Sequence, residues 1–394
     1  MSFFNEFKEW GRVSSAILNV EKTKILALNS KFREYNGIKF INTLKILGIE
    51  FNHKGVTRNN VDKILENIKK SVIIWDGVRL NSLERVVVSK TFILSKLWYI
   101  INFIKLSEEN IKIIESVIHK FIWCNSIELI KRNTLILPYE SGGLNSVCLR
   151  AKIETSYIQN YINILNNNQR MFYQLSSKYL KFELREANIF KNFNLIPACD
   201  KRPKIYDEIS KSIKKIRSID SCFHFNIKKY NSKYAYCKLL DKYVIKPKIE
   251  SWDECDDWSS VYKNIHNVSE NSDMRAFLYK LIFHALPVEN RFNNKKNICF
   301  FCKKNKEDVS HVFYNCEKII SLFDLVRKQL DEHSFILSKQ TFWFNINLSK
   351  HDYKYISIFL YTVWLVREKL RKGANVNNLK TIFENYFKTQ INIM

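Results

Sequence analysis

A short segment rich in Cys and His decides how this sequence is interpreted: residues 298–318 are "ICFFCKKNKEDVSHVFYNCEK". It holds three of the nine cysteines and one of the eight histidines of a 394-residue chain. The spacing is Cys299-x2-Cys302-x8-His311-x4-Cys316. Structural zinc prefers four thiolate or imidazole ligands in a tetrahedron, and a Cys-x2-Cys turn presents two of them to one ion. The segment therefore predicts one structural zinc ion per chain, held by these four side chains.

Other interpretations of the same segment stay open. The cysteines could be ordinary small buried side chains, with His311 at the surface, although nearby Lys303 and Lys304 favour the thiolate form that binds metal. Four aromatic side chains interleave with the ligands, and they could stack on bases, as in single-strand-binding proteins, or cover the metal. These are Phe300, Phe301, Phe313 and Tyr314.

The composition is that of a folded, mainly helical protein. Hydrophobic residues make up 46% and aromatic residues 14%, so the chain has enough apolar surface to offset the entropy of ordering, which excludes an intrinsically disordered protein. A chain of this length predicts two or three packed units. Five prolines and eight glycines leave few obligatory turns. Nine cysteines at irregular spacing favour a reducing compartment over a secreted disulfide framework.

The charge balance points to a polyanionic partner. There are 64 Lys and Arg against 39 Asp and Glu, a net charge of +25, which makes nucleic acid the first candidate and a membrane surface the second. The most apolar run, residues 91–106, contains Lys96 and Lys105 and is too short to span a bilayer. The N-terminal "MSFFNEFKEW" lacks the pattern of a secretory signal. We therefore expect an intracellular protein that is not secreted, in the nucleus or cytoplasm, with no membrane partner.

The hydrophobic period predicts a helix and two strand-forming runs, then helices. Residues 3–11 have helical spacing, and "ILNVEKTKILAL" and "TLKILGIEF" are rich in strand-forming residues. From Asn60 the period becomes 3.6 residues, with Val61, Ile64, Leu65, Ile68 and Val72 on one stripe. Ser82 and Ser107 are predicted N-caps of the next two helices, the first running to about residue 104.

Taken in order, several segments resemble the downstream part of reverse transcriptases of non-LTR (LINE-type) retrotransposons. Of the five segments quoted below, the fifth resembles the family's zinc-binding C-terminal module. A further segment, "FLYTVWLVREK", resembles the helix that follows that module. The segments are "AILNVEKTKILAL", "TLKILGIEF", "WDGVRLNSLERVVVSKTFILSKLWY", "FIWCNSIELIKRNTLILPYESGGLNSVCLR" and "RAFLYKLIFHALPVENRFNNKKNICFFCKKNKEDVSHVFYNC".

The resemblance implies roles for particular residues. Lys22 matches a lysine at the end of the palm, near the incoming triphosphate. Leu47-Gly48-Ile49 matches the primer-grip hairpin, and residues 60–125 fall where the helical thumb lies against the product duplex. The four Cys and His residues match the family's zinc ligands.

The sequence also departs from the family pattern. Glu84-Arg85, Leu94-Ser95 and Cys124-Asn125 replace the family's "GR", "LP" and Gly pair. The catalytic aromatic-Ala-Asp-Asp motif would lie just before Phe3, and phosphoryl transfer by these enzymes needs its carboxylates to hold two metal ions. Asp256 and Asp257 lie far downstream and are interpreted as a solvated break or helix cap. Catalytic residues are therefore predicted to be absent.

The predicted fold is mainly α, divided into consecutive segments. These are a small α/β palm remnant with the primer-grip hairpin (1–56), a helical thumb-like bundle (57–160), a basic helical connector (161–257), a zinc-knuckle module (258–330) and C-terminal helices (331–394).

The predicted function is to bind RNA and DNA, as a template-primer or hybrid duplex, mainly through phosphates. Two alternatives remain: a zinc-stabilised helical protein-interaction module, or a fragment of an active RNA-directed DNA polymerase from an incomplete gene model. The sequence leaves the oligomeric state open. Candidate nucleic-acid contacts are Lys22, Arg85, Lys90, Lys96, Lys131, Arg132, Lys303 and Lys304.

Overall fold

The chain is mainly helical, with short strands only near the N-terminus of the part described, which confirms the predicted fold class at this level. The computed structural model describes residues 3–28, 34–35, 38–166, 176–180, 183, 203–221, 223, 231–244, 257–288, 297–331 and 348–393. The strands are β1 Ile25–Leu26, β2 Glu34–Tyr35, β3 Ile38–Ile41, β4 Thr43–Ile46, β5 Ile49–Asn52 and β6 Gly55–Val56. The helices are α1 Phe3–Ser14, α2 Asn59–Asp76, α3 Ser82–Val88, α4 Ser95–Ile100, α5 Glu108–Ile122, α6 Arg132–Ile136, α7 Leu149–Asn166, α8 Lys204–Ile219, α9 Ser232–Tyr243, α10 Trp258–Asn267, α11 Ser272–Ile282, α12 Glu317–Arg327, α13 Lys350–Arg371 and α14 Leu379–Ile393.

The chain forms two compact units, each assembled from separate stretches of sequence. Unit 1 comprises Met1–Ser71, Leu94–Ile114 and Ile153–Ser232, and unit 2 comprises Val72–Ile93, Glu115–Lys152 and Lys233–Met394. The predicted division into five consecutive segments stays a prediction.

The strands of unit 1 form two three-stranded sheets. In one sheet β3 lies between β1, which is parallel to it, and β2, which is antiparallel. In the other, β4, β5 and β6 follow one another antiparallel, with Ile46 opposite Ile49. Leu47 and Gly48 both have positive φ, 47° and 88°, as a two-residue hairpin loop requires. The resemblance implied a hairpin at this position, and a hairpin is found; its contact with a primer stays a prediction.

The strand predicted across "ILNVEKTKILAL" is shorter than expected, because its first part is a turn. The side chain of Asn19 accepts a hydrogen bond from the Lys22 N–H at 2.9 Å, and its carbonyl accepts one from the Thr23 N–H at 3.0 Å. An Asn side chain that bonds its own following backbone favours a turn over a strand. Only β1 remains extended.

The predicted apolar stripe of α2 is confirmed at three of its five positions, whereas Leu65 and Val72 are half-buried. Val61, Ile64 and Ile68 are buried. The buried side chain of Asn60 ties the start of the helix to β5, because it accepts the Glu50 N–H at 2.9 Å and donates to the Glu50 carbonyl at 2.8 Å.

The helix predicted from Ser82 differs in its start and in its continuity. Its N-cap is Asn81, which forms a capping box with Glu84. A π-helical turn, Ser89–Ile93, separates α3 from α4. The Ser89 hydroxyl donates to the Val86 carbonyl at 2.7 Å, and the Thr91 hydroxyl donates to the Val87 carbonyl. Such bonds compete with the regular helical pattern.

Two other predicted helix starts are confirmed. Ser107 accepts a hydrogen bond from the Asn110 N–H at 3.1 Å before α5. Asp257 caps α10 by accepting the Ser260 N–H at 3.1 Å, so it serves as a helix cap. Asp256 lies outside the described residues.

A close-packed glycine loop in unit 2 gives a testable prediction. A Cβ on Gly143 would lie 1.8 Å from the Leu137 carbonyl oxygen, so the Gly143→Ala backbone must shift. We expect a loss of about 3 kcal/mol in the free energy of unfolding, measured by urea denaturation. The matched control is Gly77→Ala, whose Cβ meets nothing closer than 3.8 Å and should change stability by less than about 1 kcal/mol. Equal effects of the two variants would contradict the packing argument.

The core of unit 2 is built by aromatic and aliphatic side chains of α11, α12, α13 and α14. Phe323 and Phe383 both pack on Phe359, with ring centroids 5.2 Å and 5.6 Å away. The fully buried side chains of these helices include Leu281, Phe323, Phe359, Val363 and Phe383.

Among the described helices, none combines the length and the apolar character that crossing a bilayer requires.

Candidate metal centre

The four predicted metal ligands come together in unit 2. The sulfur atoms of Cys299, Cys302 and Cys316 and a ring nitrogen of His311 lie within 4.8 Å of one another, and all four side chains are buried. The Cys302 Sγ lies 3.3 Å from the His311 Nε2. Three sulfurs and one imidazole nitrogen form the donor set of a tetrahedral structural zinc site. The arrangement therefore fits a metal ion.

The first two ligands lie on a tight turn closed by backbone hydrogen bonds. Ile298 pairs antiparallel with Lys306, and the Cys299 N–H donates to the Asn305 carbonyl at 2.8 Å. Lys303 completes the turn in the left-handed conformation, with φ at +57°. This backbone holds the two thiols on one side of the turn, which is how a Cys-x2-Cys motif presents two ligands to one ion.

The other two ligands lie at helix ends. His311 begins a π-helical turn, His311–Asn315, and its N–H donates to the Asp308 carboxylate at 2.7 Å. Cys316 is the N-cap residue of α12. The hydrogen bond from the Cys299 thiol lowers the pKa of Cys316, and the backbone amides of Lys318 and Ile319 lower it further. A helix start of this kind favours the thiolate.

A buried ion pair fastens the ligand-bearing segment to α13. The guanidinium of Arg367 bonds the carboxylate of Glu307, and the two side chains are 1% and 0% exposed. Glu307 lies in the turn that carries Cys299 and Cys302, where its N–H donates to the Asn297 carbonyl at 2.8 Å. The metal segment is thus linked to a helix 60 positions further along the chain.

Two of the four aromatic side chains between the ligands are fully buried, and the Phe300 ring contacts cations of the same chain. Phe301 and Phe313 are 1% and 0% exposed, so these two offer no face to a base. The Phe300 ring has the Lys303 ammonium 4.9 Å from its centroid and the Arg367 guanidinium 5.2 Å away.

A second group of ligand-type side chains is explained by internal hydrogen bonds. Asp331, His351 and Asp352 also bring ligand atoms within 4.8 Å. However, the Asp352 carboxylate accepts the Asp331 N–H at 2.8 Å, and Asp331 accepts the Ser349 hydroxyl at 2.9 Å. These contacts form the cap of α13 and account for the cluster.

Both arginines predicted to contact nucleic acid form hydrogen bonds within unit 2. Arg85 is 4% exposed, and its guanidinium donates to the Asp76 carboxylate at 2.7 Å and to the Phe121 carbonyl at 2.9 Å. Arg132 is half-buried and donates to Glu128 at 2.9 Å. The Arg85 guanidinium therefore joins helices and offers little surface to a phosphate.

Three of the four predicted lysines of unit 2 are exposed. Lys131, Lys303 and Lys304 are exposed, and Lys304 forms an ion pair with Glu317 at 3.1 Å. Lys90 is half-buried, and burial lowers its pKa. In unit 1, Lys22 is exposed on the turn after Asn19, and the exposed side chain of Lys96 donates to the Ser71 hydroxyl.

Sequence reasoning missed Glu307 and Arg367. The available signal was weak: Arg367 interrupts the apolar run of "FLYTVWLVREK", where a charged residue in a buried helix needs a partner. Its partner is too distant in sequence to be identified from spacing.

No protein-family model and no curated protein matches this chain. The resemblance to reverse transcriptases therefore depends on the order of the sequence motifs.

Proposed function

We propose that the chain is a C-terminal portion of a non-LTR retrotransposon reverse transcriptase, with the end of the palm, a thumb and a zinc-binding module, and that it binds template-primer nucleic acid. The observation that carries the proposal is the meeting of Cys299, Cys302, His311 and Cys316, in a segment that follows the other family-like motifs in the expected order. The clustered ligands support the module, and the motif order supports the family.

Zinc is the proposed metal, and its role is structural. Thiolate and imidazole ligands suit zinc, and four protein ligands leave no open coordination position for a reacting water. A bound ion would join two segments of the chain, because the turn at 298–306 supplies two ligands and the segment before α12 supplies the other two. We assign no catalytic step to the metal.

Nucleic acid is the proposed partner because of charge. A surplus of 25 positive charges favours a polyanion, and contacts to phosphates give affinity without sequence preference. In unit 2 the exposed candidates are Lys131, Lys303 and Lys304, and Lys90 is half-buried. The activity proposed for this chain is therefore the binding of nucleic acid. An intracellular location, in nucleus or cytoplasm, is part of the proposal.

Salt dependence tests this function. Neutralising about four phosphates gives a slope of roughly −3.6 in log K against log salt, so affinity for an RNA–DNA hybrid should fall about hundredfold between about 50 mM and 200 mM salt. Fluorescence anisotropy with a labelled hybrid measures this. An affinity that does not change with salt would contradict the proposal.

A charge-reversal pair locates the surface. Lys131→Glu should weaken hybrid binding and reduce the salt slope by about one or more. Lys388→Glu makes the same change on an exposed position of α14 and should have a smaller effect. Equal losses would mean that net charge alone drives binding.

A protein-interaction module is the second candidate, because unit 2 exposes several large apolar side chains. Exposed apolar patches mark interaction surfaces when they are contiguous. If the hybrid does not bind at low salt, this candidate is favoured. The residues are Ile73, Ile74, Val78, Val87 and Phe92.

A further inference from the structure

Unit 1 contains a cavity that the proposed function leaves unused. Its volume is about 810 Å³, within the range of about 300–1,000 Å³ that holds small ligands. The end of the β5–β6 hairpin, the start of α2, residues 103–110 and the start of α8 line it. All of these elements belong to unit 1.

Cations dominate the lining of this cavity. Lys54, Arg58, Lys105 and Lys204 line it, against the single carboxylate of Glu109. Lys105 is neutralised by Glu208, to which it donates at 2.8 Å.

The other three cations are available to a ligand. Lys54, Arg58 and Lys204 are exposed and have no ion-pair partner among the residues that the structure describes. Three unpaired cations around one cavity attract an anion, and an Arg with two Lys suits the several oxygens of a phosphate group.

An aromatic wall lies beside the cations. Phe51 and Phe103 line the cavity, and Phe103 is 44% exposed. The Tyr99 ring supports Phe103 from outside the cavity, with centroids 5.3 Å apart. An exposed aromatic face next to phosphate-binding cations is the combination that single-stranded nucleic-acid sites use.

The start of α8 brings backbone amides to the cavity, in a first turn that also carries Asp207. Its N-cap is Pro203, which provides no side-chain hydrogen bond to the first turn. Lys204 and Ile205 of that turn line the cavity. Uncapped amides of a helix start favour a nearby anion, in addition to the side-chain charges.

We infer that this cavity binds a nucleotide that carries a phosphate monoester, with the phosphate on Lys54, Arg58 and Lys204 and the base against Phe103. The ligand could be a free nucleotide or the phosphorylated end of a strand. The choice of a nucleotide rests on the proposed nucleic-acid function, whereas the anion site rests on the cavity alone.

Competition measurements with the full chain test the site. The probes are adenosine monophosphate against adenosine, and a 5′-phosphorylated tetranucleotide against its 5′-hydroxyl form. We expect removal of the phosphate to weaken binding about tenfold in at least one pair, as loss of charge-assisted hydrogen bonds does. The pair that shows the larger difference identifies the source of the ligand.

Variants of exposed residues separate this site from general charge. Arg58→Glu should abolish the preference for the phosphate, and Phe103→Ala should weaken both members of a pair about tenfold. Lys39→Glu, on an exposed position of β3, should leave the preference intact. Circular dichroism checks that each variant is folded.

The outcomes distinguish the two proposals. Equal binding of phosphorylated and unphosphorylated probes, or a preference that survives Arg58→Glu, overturns this inference even if the hybrid binds in a salt-dependent way. A phosphate preference lost in Arg58→Glu supports the inference even if the hybrid fails to bind.

Discussion

Replacing Cys302 with serine should abolish metal binding and unfold the segment around the centre. Wild-type protein should contain one zinc per chain, and Cys302→Ser should contain none, because a serine hydroxyl is a poor zinc ligand at neutral pH. Structural zinc contributes about 10–16 kcal/mol in small zinc-binding peptides, which is as large as the stability of a whole domain. Metal analysis by mass spectrometry measures the loss of zinc, and limited proteolysis measures the unfolding. We expect proteases to cut the variant rapidly within the part of the chain that follows residue 270.

The matched control is Cys237→Ser, which makes the same change at an exposed cysteine of α9. It should keep the metal and the protease resistance of the wild type. A wild-type protein purified without zinc, or a Cys302→Ser variant that retains it, would end the zinc assignment. Removal of the metal by a chelator should reproduce the proteolysis pattern of Cys302→Ser.

The second large effect is expected from Arg367→Met. This change removes the guanidinium that pairs with the fully buried carboxylate of Glu307, which keeps a hydrogen bond from the Phe300 N–H at 3.4 Å. Breaking a buried ion pair from one side destabilises a protein by about 3–5 kcal/mol, so the urea midpoint of unit 2 should fall markedly. Since Glu307 lies in the ligand-bearing turn, zinc should also be released at a lower chelator concentration.

A double variant tests the cause. Glu307→Gln combined with Arg367→Met removes both fully buried charges and should recover much of the lost stability. Glu368, the other carboxylate that bonds Arg367, is 26% exposed and stays paired with Arg371 at 2.8 Å. Lys304→Ala breaks the exposed ion pair with Glu317 and should leave the urea midpoint close to that of the wild type. If Arg367→Met unfolds at the same urea concentration as the wild type, the proposed link between the centre and α13 is wrong.

Local sequence signals predicted helices where side chains near in sequence decide the structure. The stripe of Val61, Ile64 and Ile68 and the cap at Ser107 were readable for this reason. The cap at Asn81 was misplaced by one residue, although its capping box with Glu84 is a local pattern. Asn81 also donates to Ser272 and Asp273, each at 3.0 Å. These partners are about 190 positions away and invisible to local patterns.

In the candidate metal centre, too, local patterns could be predicted from the sequence and distant contacts could not. The four ligands could be predicted because zinc constrains ligand type and spacing within about twenty positions. The Glu307–Arg367 pair could not, since it depends on how α13 packs. Arg85 has the pattern of a surface cation, yet Asp76 and the Phe121 carbonyl hold it in the interior, which only the tertiary structure shows.

The interleaving of the two units has a consequence during synthesis. Unit 2 begins at Val72, but its last stretch begins only at Lys233, after unit 1 has received its final stretch. At about 5–20 residues per second, the ribosome leaves the early part of unit 2 waiting for roughly ten to thirty seconds. During this interval the early part of unit 2 lacks the rest of its core, so the nascent chain should depend on chaperones until the stretch that begins at Lys233 emerges.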